Sequence, residues 1–305
     1  MPLETFMVTV YCLVCEALNI VVPGGNPRKR GFPPKLSDAE ALTMAFVGTV
    51  LGYQSDKAVW KYFLRHWAAG FPSLGDRSTF VRQLANLGHI EAFLHQHWAR
   101  TLEAFAAKVH LVDGFPVPVC HPRRVGRRTL FRGEAGWGFC ASKDEHYFGF
   151  HGLLLTTADG IITGVASRAA HIDERDALFD LPLEYSRGAL FGNKGFIRPI
   201  LTEDLSAMGM TLHSPLRRNM MDSRPKSLVD HIVSVRRRVE TVIGQLAERF
   251  SAERTAEHGC SGSWFPVSTG KSPPIPCASC STSPWDDPCW ISKGWSQSKS
   301  CTSRR

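Results

Sequence analysis

Apolar residues recur every three to four positions through residues 1–107, and from Val109 the pattern changes to short runs and alternations of strand length. The first period predicts helices over residues 5–20, 38–51, 57–68, 78–86 and 90–109. Ser37, with Glu40 three positions on, has the capping-box pattern that opens the second of these. Ahead of it, Val22-Pro-Gly-Gly-Asn-Pro-Arg-Lys-Arg-Gly-Phe-Pro-Pro34 is basic and rich in Pro and Gly, and reads as a loop. Trp60, Phe63 and Trp67 stand at helical spacing and are expected in the core, not on a base-stacking surface.

From Val109 the expected order is strand 109–112, strand 148–157, strand 161–167, helix 174–181, strand 189–191, helix 197–208, strand 210–213 and a long amphipathic helix 227–253. Ala158-Asp159-Gly160 supplies a hairpin turn between the second and third strands. The order predicts an α/β fold, a mixed sheet flanked by helices, preceded by a helical region. Beyond residue 257 neither period continues, and Ser, Pro, Cys and Trp crowd together. The chain is therefore read in three parts: a helical region over 1–107, an α/β domain over 108–257, and a tail over 258–305 with no signal for folding.

Charge and cysteine usage narrow the function. The formal net charge is +8, which favours a polyanionic partner, because each cation set against a phosphate releases condensed counterions. The apolar stretch 8–22 is short, contains Glu16 and follows no positive residue, so no membrane or export segment is expected and the location is cytoplasmic, with the nucleoid. Cys12, Cys15, Cys120 and Cys140 lie in apolar or small-residue surroundings and read as buried, reduced thiols. Cys277-Ala-Ser-Cys280, Cys289 and Cys301 lack the second pair at ligand spacing, and no His follows His258, so a zinc site is not expected.

Three polar features stand where strands or helices place chemistry. Asp113 closes the first strand, Gly192-Asn-Lys-Gly195 follows the fourth, and Glu240 lies on the last helix behind Arg236, Arg237 and Arg238. Each also has a plain reading: Asp before Gly as a turn former, the glycine loop as a backbone need, and the helical Glu as a solvated charge. Their order, however, resembles the ribonuclease H topology, in which the first two positions sit on neighbouring strands and the last helix covers their ends. Carboxylates meeting in this way hold two Mg²⁺ ions about 3.5–4 Å apart. Arg123, Arg124, Arg127 and Arg128 after the first strand, Lys194 beside the second position, and Arg236, Arg237 and Arg238 are placed to neutralise a DNA backbone there.

Five motifs carry a further resemblance. They are Val112-Asp-Gly-Phe-Pro-Val-Pro-Val-Cys120, Gly138-Phe-Cys-Ala-Ser-Lys-Asp-Glu-His-Tyr-Phe-Gly-Phe-His151, His171-Ile-Asp-Glu-Arg-Asp-Ala-Leu178, Gly192-Asn-Lys-Gly-Phe-Ile197 and Arg237-Arg-Val-Glu-Thr-Val-Ile-Gly-Gln-Leu246. Together they make the chain similar to the DDE transposases of bacterial insertion sequences, specifically the family numbered nine-eight-two. The resemblance implies a ribonuclease H-like domain whose catalytic and metal-holding positions are Asp113, Asn193 and Glu240. It implies Mg²⁺, with Mn²⁺ as substitute, and double-stranded DNA at the element's inverted-repeat ends, with a homo-oligomer on that DNA. The implied reaction is phosphodiester cleavage followed by strand transfer.

This sequence departs from that pattern twice. Position 193 is Asn where the pattern has Asp, so one acceptor oxygen and one negative charge are replaced by a donor. The resemblance also stops near Glu257, and the residues beyond it read as an out-of-frame, disordered tail. A degenerate, impaired copy is expected; the alternatives are a catalytically dead remnant that occupies element ends, or a poorly folded pseudogene product.

Overall fold

The computed structural model describes residues 1–22, 32–127, 131, 133–141, 143–217 and 219–249. The tail over 258–305, the run Arg28-Lys29-Arg30, and Arg128, Arg132 and Arg218 lie outside the described residues.

Four helices form from the N-terminal pattern: α1 (Leu3–Val21), α2 (Asp38–Val50), α3 (Asp56–His66) and α4 (Arg77–Thr101). α2 opens as its sequence dictates. Ser37 Oγ accepts the Glu40 N–H at 3.2 Å, and Glu40 Oε2 accepts the Ser37 N–H at 2.7 Å, so two donors left over at the helix start are satisfied reciprocally. The two helices expected over 78–86 and 90–109 are one. Leu84, Leu87, Ile90 and Leu94 are all buried at spacings of three and four, and this single stripe carries α4 through Gly88 as far as Thr101.

Val14 and Ala17 of α1, Leu42, Met44 and Val47 of α2, Phe63 of α3 and the α4 stripe share one cluster. Trp60 and Trp67 pack against it, and Trp60 Nε1 donates to the Gly75 carbonyl at 3.0 Å. The aromatic run is core, as its spacing implies. α1 is long and apolar enough to cross a membrane by length and composition, but Met7, Val14, Ala17 and Val21 turn one of its faces into this cluster.

Six strands make one sheet: β1 (Val109–Cys120), β2 (Gly136–Cys140), β3 (Glu145–Thr157), β4 (Ile162–Ala169), β5 (Gly188–Phe191) and β6 (Met210–His213). Its order is β2-β3-β1-β5-β6, with β4 also on β3. β3 runs antiparallel to both β1 and β4, whereas β5 and β6 extend the sheet in parallel with β1. The other helices are α5 (Glu174–Ala177), α6 (Pro199–Ala207) and α7 (Lys226–Arg249). Val112, Leu153 and Leu155 meet Leu178, Leu201 and Leu205 on one face of the sheet. Leu111, Phe115 and Leu154 meet Ile232, Val239 and Val242 of α7 on the other.

Two strand expectations are corrected. β1 does not end at Asp113 but continues to Cys120, paired with β3 along its length. Pro116 and Pro118 are tolerated because β5 pairs with β1 only from Val109 to Leu111; beyond that point one edge of β1 needs no ladder donors. β2 is a strand that the hydrophobic pattern does not predict. Its inward positions are glycines: a Cβ on Gly138 would lie 2.8 Å from that of Ala170, and one on Gly136 would lie 2.1 Å from His171 Nδ1.

Candidate active site

Alternation along β1 sets the direction of Asp113. Leu111 and Phe115 face α7, so Asp113 between them faces α7 as well. Phe191, the last residue of β5, is opposite Leu111, so the chain leaving β5 runs past Asp113 and delivers Asn193 to it. Asn193 caps a short turn over Lys194–Phe196, its Oδ1 accepting the Gly195 N–H at 2.5 Å. That bond fixes the amide, whose Nδ2 donates to Asp113 Oδ1 at 2.8 Å and to Glu174 Oε2 at 3.3 Å.

α7 closes the site from above. Arg236 lies on the helix stripe that buries Ile232 and Val239, and its Nη2 reaches Asp113 Oδ2 at 3.0 Å and Glu240 Oε1 at 2.9 Å. The Gly114 N–H donates to Asp113 Oδ1 at 3.0 Å. Asp113, only 7% exposed, therefore has donors on both oxygens.

On the far side, Glu174 Oε1 lies 3.1 Å from His151 Nε2, and the Tyr147 hydroxyl is 3.4 Å from His151 Nδ1. Burial pushes the Glu174 carboxyl up, but the His151 imidazole and the Asn193 amide outweigh it and hold the group below its ordinary range. Gly114 leaves room for this pair: a Cβ would sit 2.3 Å from His151 Nε2 and 3.2 Å from Glu174 Oε1, so either side chain would have to move.

The structure thus brings Asp113, Asn193 and Glu240 together, although the first two are 80 residues apart. Glu240 joins them only through Arg236. Arg237 and Arg238 are exposed, and Arg238 lies along the β3–β4 turn, its Cδ 3.6 Å from where a Cβ on Gly160 would be. Lys194, next to Asn193, is exposed. Arg123 and Arg124 are exposed in a short helical turn, Pro122–Arg127, directly after β1; Arg127 ends that turn, and Arg128 lies outside the described residues.

Glu174 and His151 are given no role by the sequence, although both fall inside the segments 138–151 and 171–178 that carry the resemblance. The one local signal is the Asp173 that precedes Glu174: its side chain accepts the Arg175 N–H at 2.9 Å and starts α5.

Among the described residues, no group of three or more His, Cys, Asp and Glu side chains is placed to hold a metal ion. The donor set explains this. A divalent cation needs oxygen ligands, yet the space between Asp113 and Glu240 is bridged by a guanidinium, and Asn193 turns its NH₂ toward both neighbouring carboxylates. As arranged, Asp113, Asn193 and Glu240 do not fit Mg²⁺.

Compared with known families, residues 103–260 match the one described as Transposase DDE domain. No curated protein and no solved structure matches the chain.

Proposed function

The chain belongs to the DDE transposases, a match spanning just over half its length, and from that premise we propose that it is an insertion-sequence transposase whose cleavage and strand-transfer site is impaired at Asn193. DNA is the partner its family implies. The finer reading, of double-stranded inverted-repeat ends bound by an oligomer in the cytoplasm and nucleoid, is part of the proposal. So is a ribonuclease H-like domain over 108–257, supported by a sheet in which four strands, β1 to β4, pair antiparallel and two more, β5 and β6, extend it in parallel. The helical region over 1–107 is proposed to recognise the element's ends.

One observation carries the reading: Asp113, Asn193 and the Arg236–Glu240 pair, remote in sequence, meet where α7 crosses β1 and β5. Hydrolysis and strand transfer both develop negative charge on phosphate oxygens. Arg236 is placed to meet such charge, but in the present arrangement it is engaged by two carboxylates. A divalent metal held here would supply positive charge to the reacting phosphate, and Asn193 withholds one of the carboxylates that would balance that charge.

The same closure favours a second reading, a DNA-binding remnant without catalysis. A DNA duplex carrying the element's own ends separates the two. Cleavage is measured with Mg²⁺ and with Mn²⁺ for the chain as it stands, for Asn193→Asp, and for Asn193→Asp with Asp113→Asn. The expected result is no cleavage in the first, detectable cleavage in the second, and loss again in the third. Since each ~1.4 kcal/mol of transition-state stabilisation is tenfold in rate, even a few kcal/mol at position 193 silences the reaction. Robust cleavage by a chain that keeps Asn193 overturns the impairment, and binding without cleavage in all three leaves the remnant.

A further inference from the structure

We infer that Glu174 is a further residue of this site, a positioning residue that clamps the Asn193 amide together with Asp113, so that a hydrogen-bond donor stands where the second position would otherwise need a cation. The inference rests on the proposed function for the site's identity, but its chemistry stands on geometry alone. Asn193 Nδ2 is the point on which two carboxylates converge, 2.8 Å from one and 3.3 Å from the other. The opposite end of the amide cannot turn toward them without surrendering the Gly195 N–H, so the orientation is fixed from both sides.

Glu174 is itself held in place. Asp173 caps the short helix that carries it, His151 Nε2 lies 3.1 Å from its other oxygen, and the missing side chain at Gly114 makes room for both. The motif that spans residues 171–178 thereby has a physical task that three catalytic positions alone leave unexplained. With Asp at 193, an oxygen would replace Nδ2 at those same distances, and three carboxylates would converge without the donor that now joins Asp113 Oδ1 to Glu174 Oε2. Like charges so close are strongly unfavourable in a half-buried site. The amide therefore does at 193 what a bound cation would do beside an acid, and Glu174 is what makes a donor necessary there.

The test exchanges amide and carboxylate between the two positions. Thermal unfolding of the full chain is followed in EDTA and in Mn²⁺ for the wild type, Asn193→Asp, Glu174→Gln, and both together. Asn193→Asp is expected to lower the midpoint in EDTA by roughly 4 °C or more and to recover in Mn²⁺, to which the wild type does not respond. In the double variant the glutamine side chain at position 174 would offer an NH₂ to the new carboxylate. That chain is expected to regain most of the loss in EDTA and to bind Mn²⁺ on the order of 10-fold more weakly than Asn193→Asp. Additive effects of the two substitutions in EDTA would overturn the inference, as would an Asn193→Asp chain as stable there as the wild type. If Asn193→Asp fails to fold, the double variant still decides: folded in EDTA supports the clamp, unfolded overturns it. None of these readings involves DNA, so a failed cleavage experiment and a failed clamp are told apart.

Discussion

At the scale of single residues, burial sets how several histidines respond to pH. His110 on β1 is wholly buried, and burial lowers its pKa against a smaller upward pull from the backbone at Ala107 and Arg187. His89 and His95 are lowered by burial in the same way, and His213 by burial and then Arg224. The unfolded chain therefore takes up these protons first. The stability due to neutral His110 is present in full above about pH 6.5, the ordinary value for an imidazole, and declines as pH falls from there toward the lowered folded value. Thermal unfolding from pH 8 to pH 5 is expected to show this decline. In His110→Gln it should be shallower by up to about 1.4 kcal/mol per pH unit, one proton's worth. Equal slopes for the two chains would show that His110 does not titrate on unfolding.

At the scale of elements, helix ends and strand ends behave differently. Ser37→Ala removes one arm of the capping box at the start of α2 and is expected to cost about 1 kcal/mol. A calorimetric scan should show the midpoint lowered by roughly 2–4 °C, and an unchanged midpoint would mean that the cap is replaced by solvent. That cap is legible from Ser37 and Glu40 alone, because capping is local chemistry. The sequence pattern divides α4 into two helices since Gly88 lowers local propensity, whereas the buried stripe from Leu84 to Leu94 that overrides it is a tertiary fact. β2 escapes the pattern for the opposite reason: Gly136 and Gly138 make no hydrophobic signal, and the side chains that exclude anything larger come from residues 170 and 171. Asp113, Asn193 and Glu240 are singled out as candidates by order and motif, but their contacts are not legible there. No sequence pattern says that Arg236 spans two carboxylates or that Glu174 reaches across to Asn193.

At the scale of the whole molecule, the charge of +8 should show itself on DNA. Arg123 and Arg124 are exposed just after β1, and Arg237 and Arg238 on α7. Binding of duplex DNA over a salt series is expected to weaken linearly on logarithmic axes, by about 0.9 in slope for each phosphate contacted. Replacing Arg123 and Arg124 together by Ala should reduce that slope by about 2; an unchanged slope removes their turn from the interface. The position of α7 along the chain has a different consequence. It is the last described helix in sequence, yet Ile232, Val239 and Val242 cover the face of β1 and β3 that bears Leu111, Phe115 and Leu154. A chain emerging from the ribosome therefore completes its sheet's strands before the segment that shields this face has been synthesised. During that interval the growing polypeptide presents an oily surface and an Asp113 without its guanidinium partner, and exposed apolar surface of this kind is prone to aggregate until residues 232–242 have emerged and docked.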